Sequence, residues 1–129
     1  MTYRIGNAGG FWGDDPFALR RQLLGPLRLD AIAIDFLAEV TMSILQKQRA
    51  KDPSAGYAKD FVTQVTPLLP ELVARGTVIV TNAGGVNPRA CAEALRAAAG
   101  GLDLRIAIVE GDDLAARIPE LRAAGAELR

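Results

Sequence analysis

Thr77-Val78-Ile79-Val80-Thr81-Asn82-Ala83-Gly84-Gly85-Val86-Asn87-Pro88 passes from a β-branched run through a glycine turn into a helix start. Branched side chains fit a pleated strand, two glycines let the backbone reverse sharply, and Asn-Pro supplies an N-cap followed by an N1 proline. The same tetrapeptide recurs at Asn7-Ala8-Gly9-Gly10, after Tyr3-Arg4-Ile5-Gly6 and ahead of Asp15-Pro16. One strand–turn–helix device is therefore used twice. Such units chain into a parallel sheet with right-handed crossovers.

Working outward, two more strand candidates stand at Ala31–Phe36 and Arg105–Glu110, joining Tyr3–Gly6 and Val78–Thr81. Helical patterns fall between them. The first covers Pro16–Leu24 and stops at Gly25-Pro26, and the long second crossover carries Ser43–Lys51, Tyr57–Val65 and a short segment from Thr66-Pro67 to Arg75. The helix after the second glycine loop spans Pro88–Ala99, with Cys91, Ala94, Leu95 and Ala98 on one face, and a last one runs from Leu114 toward Ala124. These elements predict a single α/β domain over residues 1–129, three-layered and Rossmann-like, with about four parallel strands. The favoured order is 2-1-3-4, with a Rossmann-type 3-2-1-4 half sheet as the alternative. Its fourth strand would leave an open edge, so the chain is expected to be the N-terminal part of a longer architecture or to complete its sheet with an oligomeric or other partner chain.

Composition narrows the chemistry. The chain of 129 residues is half apolar, and its fifteen basic residues balance fifteen acidic ones without a basic run, so neither nucleic acid nor membrane is an expected partner. With no histidine and one cysteine, it builds no Ser-His-Asp centre, histidine-ligated metal site, thiolate zinc cage or internal disulfide from its own residues. No metal is assigned, the cofactor is left unknown, and a reducing, cytoplasmic setting is expected.

In a parallel sheet the ligand crevice lies beyond the carboxyl ends of the strands, where strand order reverses. Order 2-1-3-4 would set the first and third strands side by side and join both glycine loops in one cleft. Asn7, Gly9, Gly10, Trp12, Asn82, Gly84 and Gly85 are thus the candidate ligand-binding residues. Backbone amides, Asn side-chain amides and helix N-termini there favour an anionic or carbonyl-bearing ligand. Asp35 and Glu39, after the second strand, are the candidate catalytic carboxylates. Asp14, Asp15, Asp112 and Asp113 read more simply as helix caps or solvated first-turn acids, and Cys91 as core. A dinucleotide fingerprint is not the reading: Ala8-x-Gly10-x-x-Gly13 degrades the glycine pattern and holds bulky Trp12, and Gly-Lys-Ser/Thr is absent from the chain.

Arg4-Ile5-Gly6-Asn7-Ala8-Gly9-Gly10-Phe11-Trp12-Gly13-Asp14, Asp35-Phe36-Leu37-Ala38-Glu39-Val40-Thr41, Gly56-Tyr57-Ala58 and Thr81-Asn82-Ala83-Gly84-Gly85-Val86-Asn87-Pro88 together resemble the N-terminal region of the acyclic terpene utilisation protein family, AtuA. The resemblance covers nearly the whole chain. It implies catabolism of acyclic terpenoids such as citronellol and geraniol through branched acyl-CoA intermediates. On that basis the loops are expected to bind an acyl-CoA or related anion, in support of a hydration or lyase step with Asp35 or Glu39 as base. The alternative is a non-catalytic assembly domain whose glycine loops are structural turns.

Overall fold

The computed structural model of the chain describes residues 2–127. Strand β1 (Ile5–Asn7) is followed by α1 (Ala18–Leu23), β2 (Ala31–Ile34), α2 (Glu39–Lys51), α3 (Lys59–Val65), α4 (Leu69–Arg75), β3 (Val78–Thr81), α5 (Pro88–Ala99) and α6 (Ile118–Ala123). A 3-10 turn, Thr66–Leu68, joins α3 to α4 and another, Ala115–Arg117, leads into α6. The helix boundaries follow backbone chemistry. Gly76 and Gly100 close α4 and α5 in the left-handed conformation that glycine adopts without a Cβ clash, and Asn87 caps α5 by accepting from the Ala90 N–H.

The sheet is parallel and three-stranded in the order β1-β2-β3. This corrects the expected 2-1-3-4 order. It agrees with the 3-2-1 part of the Rossmann-type alternative. The central place goes to β2 because its Ala-Ile-Ala-Ile run is the strand buried most completely, whereas Ile5, Val78 and Val80 tolerate an edge.

Handedness then decides the layers. Strands that advance 1-2-3 in one direction through right-handed crossovers place every connection on the same face. Register gives the division directly: Gly6, Ile32 and Ile79 share a row pointing to the helices, and Ile5, Ala31 and Val78 share the row pointing away. Ile32 and Ile34 lie in the main core with Leu19 and Leu23 of α1, Phe61 and Val65 of α3, and Leu95 of α5. Phe36 meets Phe61 edge to face, with centroids 5.8 Å apart. On the other side Ile5, Val78 and Val80 are 69%, 54% and 61% exposed. The described residues therefore form two layers, one sheet and one helical, instead of the expected three.

The expected fourth strand, Arg105–Glu110, forms no strand and joins no ladder among the described residues. Its burial does alternate as a strand's would: Leu104, Ile106 and Ile108 are half-buried and Arg105, Ala107 and Val109 exposed. Side-chain period two records one sheltered face, and does not by itself supply hydrogen-bond partners. Glu110 is paired with Arg89 of α5 and Asp113 with Arg49 of α2, so the end of this run is tied to the helical layer.

Candidate functional site

Above the carboxyl ends of the strands, a chain of hydrogen bonds crosses all three. The Gly9 N–H donates to Asn7 Oδ1 at 3.2 Å, and the Asp35 N–H donates to the Gly9 carbonyl at 3.2 Å. Asn82 Nδ2 donates to Asp35 Oδ1 at 2.7 Å, while Asn82 Oδ1 accepts from the Phe36 N–H at 2.8 Å. Each link follows from position: Asn7 closes β1, and Asp35 and Asn82 directly follow β2 and β3. The structure thus brings together Asn7, Gly9, Asp35 and Asn82. It does not bring the two glycine loops side by side, because β2 stands between them, and the cleft argument from adjacent first and third strands is corrected accordingly.

The two loops differ in what surrounds them. In the second, Gly85 has φ +54°, and a Cβ there would lie 2.4 Å from Leu45 Cδ1 and 2.8 Å from the Gly56 carbonyl oxygen. A Cβ on Gly84 would meet Pro88 Cβ at 2.8 Å. The glycines are needed because protein atoms occupy the space a side chain would take. The loop's amides are also engaged: Ala83 N–H with Thr81 Oγ1, Gly85 N–H with the Asn82 carbonyl and Val86 N–H with the Gly56 carbonyl. Asn87 Nδ2 ties the neighbouring segment by donating to the carbonyls of Pro53 and Ala55, each at 2.8 Å.

The first loop is open. Beside Gly10 the nearest atom to a Cβ would be Asp14 Oδ2 at 4.0 Å, and that oxygen already accepts the Gly10 N–H at 3.0 Å. Asp14 Oδ1 accepts from the Asp15 N–H at 2.8 Å. Asp15 in turn accepts from the Phe17 N–H and pairs with Arg21, whose bond is the main cause of its lowered pKa. Trp12 is half-buried against the core and donates Nε1–H to Asp60 Oδ2 at 2.9 Å, which fastens the loop to the first turn of α3. An open groove of about 370 Å³ lies here, lined by Gly13, Asp14, Pro16, Asp60, Thr63 and Gln64. A smaller depression next to it is lined by Ala8, Gly9, Phe11, Asp14 and Ile34 among others. Neither reaches the second loop.

Asp35 is held ionised. The Asn82 amide, and after it the Leu37 N–H, keep its carboxyl below the ordinary value of 3.8, since donors aimed at a carboxylate favour its charged form. Both donors use Oδ1. A group whose folded pKa is depressed contributes stability that is complete above its unfolded pKa and lost as pH falls through the folded one. Asp35→Asn should therefore flatten the acid side of the stability profile below about pH 4, measured by urea melts at stepped pH; coincident profiles would refute the assignment.

The cap readings of the remaining acids are corrected: Asp15 and Asp113 each accept from an N–H two residues on, Phe17 and Ala115, but the cap positions fall to Phe17 for α1, Leu114 for the 3-10 turn and Arg117 for α6, none with a side-chain cap bond. Glu39 is the exposed first residue of α2. Among the described residues no three His, Cys, Asp or Glu side chains are grouped to hold a metal ion. Cys91 is core, and burial pushes its thiol up to about 11. Asp60, which holds Trp12, and Arg49, which donates to the Val86 carbonyl beside the second loop, were not legible as site neighbours, because a first-turn acid and a last-turn base look alike on every exposed helix.

The family model described as "Acyclic terpene utilisation family protein AtuA" matches residues 3–129. No curated protein and no solved structure matches the chain. Among the described residues no helix is long and apolar enough to cross a membrane.

Proposed function

The chain belongs to the acyclic terpene utilisation family AtuA, and from that premise we propose that it binds a branched acyl thioester such as an acyl-CoA at the crest above its strands. The observation that carries this reading is the Asp35–Asn82 pair: Asp35 Oδ1 takes two donors and leaves Oδ2 as an acceptor, fixed beside the first loop. Asn7 uses its Oδ1 on Gly9, which leaves its amide hydrogens to donate to a carbonyl. The carboxylates of Asp14 and Asp60 line the adjacent groove and repel the phosphates of CoA, which are placed outside it.

The step this arrangement suits is hydration of an α,β-unsaturated thioester, or its reverse. Asp35 Oδ2 takes a proton from water as the water oxygen bonds to the β-carbon. The alkene electron pair moves to give an enolate whose oxygen is stabilised by amide donors, and the α-carbon then takes the proton from the Asp35 carboxyl, which returns to carboxylate. Glu39, four residues on, is the alternative base. A second reading, an assembly domain with structural glycine turns, draws on Gly84 and Gly85, which are pressed against Pro88, Leu45 and Gly56.

Thermal melts with branched acyl-CoAs, free CoA and adenine nucleotides separate the two. A ligand at a hundred times its Kd stabilises by about 2.7 kcal/mol, so a rise of several degrees is expected with acyl-CoA. Asn7→Asp and Asn82→Asp should each lower that rise, because a carboxylate replaces the amide donor and repels anions. Unchanged melting with every acyl-CoA, or an equal rise in both variants, would leave the assembly reading.

A further inference from the structure

We infer that the hollow beneath the first glycine loop is the seat of a short branched hydrocarbon, and that the loop swings outward to admit it. The identity of that hydrocarbon, the end of the acyl chain, rests on the ligand reading above. Ala8, Ile34 and Phe36 line the hollow and are all buried, which gives it an apolar floor. Ile34 and Phe36 flank Asp35, so a chain whose carbonyl lies at the crest carboxylate has its hydrocarbon end beside this floor. The Asp14 and Asp15 carboxylates line the hollow as well and repel an anion, so the occupant is the uncharged end of a ligand. As it stands the hollow measures about 10 Å³, room for about one water, while the open groove beside it measures about 370 Å³. Gly13, Asp14 and Gln64 line both. The partition between the two spaces is therefore the loop itself with one side chain of α3.

The partition is free to move. A Cβ at Gly9 would stand 3.4 Å from Ile34 Cγ2 and 3.9 Å from Asp14 Oδ2, so glycine keeps that side of the hollow clear. At Gly13 a Cβ would meet nothing within 4 Å. Packing does not ask for glycine there; the backbone does, because φ is +93°, a region that side chains disfavour. From Gly10 to Asp14 the backbone bonds only within the loop, Gly10 N–H to Asp14 Oδ2 and Asp14 N–H to the Phe11 carbonyl. Among the described residues the one hydrogen bond from this stretch to another element is Trp12 Nε1–H to Asp60 Oδ2 on α3. The second loop has no such freedom, since Gly84 and Gly85 press on Pro88, Leu45 and the Gly56 carbonyl. Outward rotation of the first loop, at the cost of one side-chain bond, joins the hollow to the groove and uncovers the floor.

Methyl NMR and titration calorimetry on the parent chain read the seat directly. The branch methyls of isovaleryl-CoA should give intermolecular NOEs to the methyls of Ile34 and Ala8. Isovaleryl-CoA should also bind about tenfold tighter than acetyl-CoA or better, because each buried methylene is worth roughly fourfold. Gln64→Trp fills the passage between groove and hollow and should remove that roughly tenfold preference while leaving the acetyl-CoA Kd unchanged. Trp12→Phe keeps an aromatic ring but loses the N–H that holds Asp60. It should lower the isovaleryl-CoA Kd severalfold and not that of acetyl-CoA, since apparent affinity rises with the fraction of chains whose loop is open. NOEs that fall on other residues, or variants that act equally on both thioesters, would overturn the proposal. If neither thioester binds the parent chain, the ligand reading fails, and neutral isoamyl alcohol then tests the hollow by itself. NOEs from its branch methyls to Ile34 and Ala8 would sustain the seat, and their absence would overturn it.

Discussion

Gly85→Ala should destabilise the fold by about 3–5 kcal/mol, the sum of a left-handed backbone imposed on a residue with a Cβ and of overpacking at the contact. The position has φ +54°, and its Cβ would stand 2.4 Å from Leu45 Cδ1 and 2.8 Å from the Gly56 carbonyl oxygen. A leucine end can turn aside; a backbone oxygen held by the Val86 N–H cannot move without opening the loop. Against a typical domain stability of about 5–15 kcal/mol this is a large fraction, readable as a fall in the urea midpoint at constant slope. Leu45→Ala on its own costs about 2–5 kcal/mol. Combined with Gly85→Ala it should cost less than the two added, since the first change vacates the space the second fills. Simple additivity would mean that the clash is relieved elsewhere.

The second large effect separates the two faces of the sheet. Ile32 is 0% exposed at the centre of β2, and Ile32→Ala should cost about 2–5 kcal/mol through lost burial and the cavity left behind. Val80, one strand over and on the opposite face, is 61% exposed. Val80→Thr keeps the β-branch and should change stability by no more than about 0.5 kcal/mol at concentrations where the chain is monomeric. Comparable losses at both positions would show that the outer face is covered within a single chain, which would contradict the two-layer arrangement.

How far the fold could be read beforehand differs from level to level. Val78–Thr81 and Pro88–Ala99 match the expected elements end to end, because a β-branched run, a double glycine and an Asn-Pro start each act locally. The helix expected from Ser43 begins earlier, at Glu39. Strand order was not legible in the same way. Ala31–Ile34 and Val78–Thr81 are both apolar, and alternation says which residues share a face but not which strand has two neighbours. Adjacent glycine loops follow only from the order 2-1-3-4, the simplest one for these strands. Their environments in fact differ, since Gly85 is packed on Leu45 while Gly10 faces only the Asp14 carboxylate. Of the expected site residues, Asn7, Gly9, Asp35 and Asn82 meet in one hydrogen-bonded crest. The carboxylate between the loops is what the repeated motif alone could not reveal.

Trp12 is the only tryptophan of the chain, and its indole N–H is bonded to Asp60 across the mouth of the first loop. Excitation at the red edge of protein absorbance therefore isolates one loop in an otherwise silent molecule. Any solute that enters the groove and parts the indole from its carboxylate changes the polarity around a single emitter, and the wavelength of that emission becomes an intrinsic, label-free gauge of whether the loop is latched or released.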